Sequence, residues 1–296
     1  MVLVVGATGL VGMEVCLRLV KRGEKVRALV RSTSAPEKVE ALGAAGVDLA
    51  YGDLKDSASL ASACNGADAV ISTASSTLSR QAGDSIESVD AAGQLALVSA
   101  AKTAGIKRFI YLSYRGTPGI SIPLTDAKRA IEAAITDMNY TIIQASWFME
   151  VWLSSALGFD YANCAVRIYG TGEAPVSWVS FRDVAEMCAV ALRHPAAGRK
   201  TIEFGGPEAL TPLEVVALFE RLSGKRYSRE HVPEVALRAQ LEAAQDSMQK
   251  SFAGLMLGCV NGDAMNMAPV MQTFGVRPTR VEDYARTVLG LPASAG

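Results

Sequence analysis

The chain has 296 residues, half of them hydrophobic and a fifth charged, with a formal net charge of −1. That length allows a large core and a smaller second lobe, while the balanced charge gives no footprint for nucleic acid or an anionic membrane. No apolar run reaches the roughly 20 residues that span a bilayer. The five cysteines (Cys16, Cys64, Cys164, Cys188, Cys259) are scattered without CxxC spacing, so neither a disulfide framework nor a zinc site is expected and a cytoplasmic location is the natural reading. A strand at the very start leaves no room for a signal peptide, and none is expected.

Residues 2–5, VLVV, form an apolar, mostly β-branched run, the pattern of a strand buried on both faces. Gly6, Gly9 and Gly12 follow at three-residue spacing, enclosing Thr8, Leu10 and Val11, and a helix is expected over 10–20. Strand, glycine turn and helix in that order open a dinucleotide-binding fold. Gly6 suits the tight turn, Gly9 lets backbone approach a pyrophosphate, and Gly12 lets the helix pack on the strand. The phosphates would sit at the helix N-terminus. The spacing is GxxGxxG rather than GxGxxG, and a purely structural glycine turn is the alternative.

A second strand over 25–30 ends in Arg31, Ser32 and Thr33, with no acid before Glu37. An acid at this place grips ribose hydroxyls, whereas an arginine accommodates a 2′-phosphate, so NADP(H) is favoured over NAD(H). A solvated arginine is the plain alternative. After a helix over 35–42, a third strand over 47–51 runs into Asp53 and Leu54. Asp53 is a candidate acceptor for the adenine amino group with Leu54 on the ring; its other reading is a cap for the turn at 55–59. A fourth strand over 68–72 leads into small residues, among them Thr73 and Ala74, which leave room for a ligand at the strand's carboxyl end. An Ala-rich helix is expected over 86–103. The fifth strand, 108–113, ends at Ser113 and Tyr114, a helix over 124–136 carries Lys128, and a sixth strand occupies 140–145.

Beyond it lie Ser146-Trp147-Phe148-Met149-Glu150 and then an apolar helical stretch to Leu157, a strand pair over 165–169 and 175–179 around Gly170-Thr171-Gly172, a helix over 182–192 and a strand over 201–204. Thr211, Pro212 and Glu214 spell a capping box. The stretch 233–271 reads helical and is rich in methionine, suited to core filling or to an irregular apolar pocket. A last helix is expected over 279–289 and a loose tail over 292–296. His194 and His231 lack the neighbours of a catalytic base, and Asp183 reads as a first-turn residue favoured by the helix dipole.

GATGLVG (6–12), VRALVR (26–31), GDLKD (52–56), AAKTAGIKRFIYLS (100–113), AKRAIE (127–132), YTIIQASWFME (140–150) and VSFRDVAE (179–186) together resemble the NmrA-like family of atypical short-chain dehydrogenase/reductases, which includes isoflavone-reductase-type enzymes. The resemblance implies an α/β fold with a doubly wound parallel Rossmann sheet. It also implies an NADP(H)-binding domain over 1–146, joined by segments of about 176–206, and a smaller α/β substrate lobe over 147–296. Ordinary short-chain dehydrogenases use a YxxxK pair. Here Leu124 stands where the tyrosine would be, while Lys128 matches the lysine that the isoflavone-reductase-like branch keeps.

Two residues are candidates for catalysis. Lys128 would hold ribose or move a proton, and its plain alternative is a surface pair with Glu132. Tyr114 would donate a proton, or else be a packed aromatic. Ser113 joins the cofactor candidates. Trp147 and Phe148 are substrate candidates, with core packing as their alternative. The expected function is NADP(H)-dependent reduction of a quinone, enone or aromatic molecule by a monomer or homodimer. A non-catalytic redox sensor acting through a protein partner is the second reading.

Overall fold

The computed structural model describes residues 1–79 and 81–293. The chain folds as two compact units. One comprises Met1–Tyr114, Pro123–Gln144 and Val184–Ile202; the other takes Arg115–Ile122, Ala145–Asp183 and the chain from Glu203 onward.

The first unit is built on β1 (Val2–Val5), β2 (Val26–Val30), β3 (Asp48–Tyr51), β4 (Ala69–Ser72), β5 (Arg108–Tyr114), β6 (Tyr140–Ala145) and β9 (Lys200–Phe204). The sheet runs β3-β2-β1-β4-β5-β6-β9, and β3 through β5 pair in parallel. This is the doubly wound Rossmann order, with the reversal between β1 and β4. Their register pairs Val5 with Ser72, so the chain leaves both strands side by side at Gly6 and Thr73. Val2 to Val5 are each at most 1% exposed, as an apolar strand without alternation requires.

Around the sheet lie α1 (Leu10–Lys21), α2 (Pro36–Ala44), α3 (Ser57–Cys64), α4 (Gln94–Thr103), α5 (Pro123–Ala134) and the larger part of α7 (Phe181–Arg193). The helix expected over 86–103 starts as a π-helical stretch, Ile86–Gly93, before becoming α4. Gly93 sits there because a Cβ would come within 2.9 Å of the Leu54 side chain. Arg108 stitches the far side of the sheet, donating to the Asn139 and Ala191 carbonyls at 3.1 and 2.9 Å and to the Thr141 hydroxyl.

In the second unit a short α6 (Met149–Trp152) and a single 3₁₀ turn (Ser155–Leu157) replace the continuous helical stretch expected from Glu150 to Leu157. Two further strands, β7 (Phe159–Asp160) and β8 (Ala165–Tyr169), join β10 (Ser228–Val232) in the order β10-β8-β7. The expected pairing of 165–169 with 175–179 is not formed. Val176 bridges Leu210, and the Ser177 amide donates to the Asp263 carbonyl at 3.1 Å, so this segment's backbone is divided among other partners. β8 instead takes β10 in parallel, with Arg167 opposite Glu230 and their side chains 3.2 Å apart.

Thr211 and Glu214 close their capping box at the start of α8 (Pro212–Ser223). The methionine-rich stretch breaks into α9 (Glu234–Ala243), α10 (Ser247–Gly258) and α11 (Ala268–Phe274), and α12 (Val281–Val288) is the last helix. Asp183 does more than complement a helix dipole, since its carboxylate accepts the Thr279 amide at 2.7 Å and the Thr279 hydroxyl at 3.2 Å. Of the tail expected to be loose, 294–296 lie outside the described residues. Among the described residues, no helix is long and apolar enough to cross a membrane.

Candidate functional site

The turn between β1 and α1 is shaped by its glycines. Gly6 has φ +85°, a left-handed conformation that favours glycine. A Cβ on Gly12 would lie 2.1 Å from the Gly6 carbonyl oxygen, so only glycine lets α1 close on the turn. Gly9 differs, because its Cβ would meet only the Gly6 carbonyl at 3.2 Å and otherwise face open space. Gly9 is the N-cap of α1; no side chain caps the helix and no acid lies in its first turn. Leu10 is 41% exposed, Val11 is buried, and Thr8 accepts a hydrogen bond on its carbonyl from Lys38 Nζ at 3.0 Å. An uncapped, solvent-open helix N-terminus beside a glycine turn matches the needs of a dinucleotide pyrophosphate.

Thr73 and Ala74 line the same turn. The Thr73 amide donates to the Val5 carbonyl at 2.9 Å, and the Ala74 nitrogen is 2.7 Å from where a Gly6 Cβ would stand. Asp53 caps a turn through the Lys55 amide at 2.8 Å, while Asp56 rather than Asp53 caps α3. Leu54, 7% exposed, packs into the core of this unit. At the end of β2, Ser32 is exposed. Arg31 turns toward Asp84, at 2.6 Å from Nη1.

The carboxyl ends of β4 and β5 carry a cluster of buried polar residues. Asp90 and Gln94, one turn apart, face β4. Gln94 accepts from the Ser72 hydroxyl at 2.8 Å and donates to the Ala74 carbonyl at 2.9 Å. Asp90 Oδ2 accepts from the Ser76 amide and hydroxyl at 2.9 and 2.6 Å, while its Oδ1 has no hydrogen-bond partner. Lys128 Nζ lies 3.9 Å from that oxygen.

Lys128 is 6% exposed on the inner face of α5, which removes the reading as a surface pair. It donates to the Leu112 carbonyl at 3.2 Å and lies 4.9 Å over the Tyr111 ring. Burial lowers its ammonium pKa, against a raising influence from Asp90 and Glu132. Glu132 is otherwise engaged, by Arg129, by the Ser113 hydroxyl at 2.5 Å and by Gln144 at 3.1 Å. Tyr114 shares a hydrogen bond with the Thr125 hydroxyl, and burial pushes its phenol above the usual range. Lys128 and the strand ends thus come together. Asp90, Gln94 and Lys38 were missed by sequence reasoning; an acid past the first turn of the Ala-rich stretch 86–103 was the available signal for Asp90.

In the second unit Trp147 lines an apolar recess with Trp152, Trp178 and Tyr169. The Trp147 and Trp152 rings are 4.1 Å apart, and Trp178 meets Trp147 edge-on at 6.4 Å. Phe148 lies outside this recess and forms a bridge with Val179.

The model of the NmrA-like family matches residues 1–287. The photosystem II assembly factor Ycf39 of Synechocystis sp. is 31% identical over 98% of this chain and 90% of its own length. An NAD(P)H azoreductase of Xenophilus azovorans is 30% identical over 94% of this chain and 91% of its own. The NADPH-dependent quinone oxidoreductase QOR2 of Escherichia coli, solved with NADPH, superposes with a TM-score of 0.78 at 23% identity, covering 98% of this chain and all of that one. It shares the fold. With the glycine turn, the sheet order and this match in hand, the chain belongs to the NmrA-like family.

Proposed function

We propose that the protein is an NADP(H)-dependent oxidoreductase that reduces a small quinone, enone or aromatic molecule. The observation that carries this reading is Lys128, a lysine on the inner face of α5 beside the unpaired oxygen of Asp90. A charged side chain is removed from water at such a cost that a purely structural position would be filled by an apolar residue as well or better. Perturbed, buried titratable groups cluster at functional sites.

The cofactor is NADP(H). Gly6, Gly9 and Gly12 admit the pyrophosphate to the free amides of α1, and Arg31 serves the adenosine 2′-phosphate. When bound, the reduced nicotinamide supplies a hydride. Reduction then requires one proton for each hydride. Lys128 holds that proton at Nζ, or passes it through a water molecule, and burial favours its release by destabilising the charged form. Asp90 opposes that release and steadies the ammonium, and Ser113 is held in place by Glu132. Trp147, with Trp152, offers flat apolar faces suited to an aromatic or quinonoid ring.

NADPH oxidation by the full chain, followed with a panel of quinones and enones, tests the reading. Turnover with at least one acceptor supports it, and its loss in Lys128→Met with NADPH binding intact ties the chemistry to Lys128. A folded protein that binds NADPH and reduces none of the panel favours a second reading, a dinucleotide-dependent regulator that acts through a protein partner. The similarity to an assembly factor supports that second reading, as does Leu124 in the place of the usual tyrosine.

A further inference from the structure

Asp84 occupies the centre of the site assigned above to the 2′-phosphate. Its Oδ2 is 2.6 Å from Arg31 Nη1 and 2.5 Å from the Ser79 hydroxyl, and its Oδ1 is 2.6 Å from Lys55 Nζ. Two cations and a hydroxyl converging on one anion form the donor set that a phosphate monoester would recruit. The Asp84 side chain is only 3% exposed, whereas Arg31 and Lys55 keep 30% and 32% of theirs open. The receptor is therefore accessible from solvent and already filled by the chain itself. The segment that brings Asp84 there is fastened to the end of β2, because Gln81 donates to the Thr33 carbonyl at 2.8 Å and meets its hydroxyl.

We propose that Asp84 determines cofactor specificity by occupying the 2′-phosphate receptor, so that the chain accepts NADH as well as NADPH. The inference rests on the NADP(H) reading of the site. An acid at the end of β2 marks a site for unphosphorylated ribose, and no acid stands there in the sequence. Asp84 supplies one from 53 residues away. Toward NADH its carboxylate accepts a ribose hydroxyl. Toward NADPH it must give up Arg31 or lie against a second anion, and like charges in one site repel. Arg31 thus favours the phosphorylated cofactor and Asp84 blunts that preference.

The test is calorimetric titration of the full chain with adenosine 2′,5′-bisphosphate and adenosine 5′-monophosphate, which report the adenosine half without turnover. In the unaltered chain the bisphosphate is expected to bind no more than about tenfold more tightly. Asp84→Asn is expected to widen that ratio by about tenfold or more, mainly by tightening the bisphosphate, with NADPH and NADH following the same trend. Asp84→Glu, which keeps the charge, should stay close to the unaltered ratio. A discrimination above about a hundredfold in the unaltered chain would overturn the proposal whether or not any variant folds. So would an unchanged ratio in a folded Asp84→Asn protein, which would leave Asp84 as a loop tether. Binding of none of the nucleotides or dinucleotides would instead contradict the NADP(H) reading, and this inference with it.

Discussion

Lys128 Nζ stands 3.9 Å from Asp90 Oδ1, and the two side chains are 8% and 0% exposed. Lys128 comes from α5 and Asp90 from the π-helical stretch before α4, so the pair joins two helices at the carboxyl ends of β4 and β5. Burial drives the lysine toward its neutral form while Asp90 pulls the other way. If Lys128 donates the proton, activity falls as pH rises through its pKa. Removing the Asp90 charge removes a raising influence. Asp90→Asn is therefore expected to move the alkaline limb of the kcat profile to lower pH, and an unmoved limb would separate Asp90 from proton transfer.

Stability should respond to the same pair asymmetrically. Removing one partner of a buried pair leaves the other charge uncompensated, a cost of about 3–5 kcal/mol. Asp90→Ala also strips the Ser76 amide and hydroxyl of their acceptor. It is expected to destabilise the protein by about that amount in urea unfolding, with Lys128→Met milder because the Asp90 carboxylate it leaves behind keeps its two hydrogen bonds from Ser76.

The glycine turn separates folding from binding. Gly12→Ala puts a Cβ 2.1 Å from the Gly6 carbonyl oxygen and is expected to lower stability by about 1–3 kcal/mol or more as the helix is forced off the strand. Gly9→Ala has room apart from one 3.2 Å contact. Its melting temperature should stay near that of the unaltered chain while NADPH affinity drops by about tenfold or more. Equal affinity in Gly9→Ala would mean that the pyrophosphate does not approach there.

Much of this fold was legible because its parallel strands are short apolar runs, and a strand buried on both faces leaves that mark. Tyr140–Ala145 and Val2–Val5 were readable to the residue. β10 was not, since SREHV is exposed at four of its five positions and shows neither alternation nor an apolar run. Lys128 was recognisable as a candidate only by resemblance, because AKRAIE also spells an ordinary amphipathic helix with a Lys–Glu pair. Its burial depends on where α5 lies on β5, which no local pattern encodes. Asp84 was invisible for a related reason, since its partner Arg31 is brought to it by the sheet rather than by sequence spacing.

The Asp84 cluster also predicts an acid limb. Burial raises this carboxyl, but hydrogen bonds from Lys55, Ser79 and Arg31 outweigh it and hold the pKa at about 2, below the roughly 3.9 of an unfolded aspartate. The native state then binds fewer protons than the unfolded chain between those values. The stabilisation is complete above about pH 4 and is lost as pH falls through about 2. Asp84→Asn should flatten the stability profile in that window, as read by urea unfolding at successive pH values.

The central claim is that the open N-terminus of α1 and the receptor around Arg31 hold a phosphorylated dinucleotide. Calorimetric titration of the full chain with NADPH tests it most directly. Saturable binding of one molecule per chain, weakened by Gly9→Ala and by Arg31→Ala, is the predicted result. No heat from NADPH, NADP⁺, NADH or NAD⁺ with a folded protein would contradict the account and leave the glycine turn as a purely structural joint.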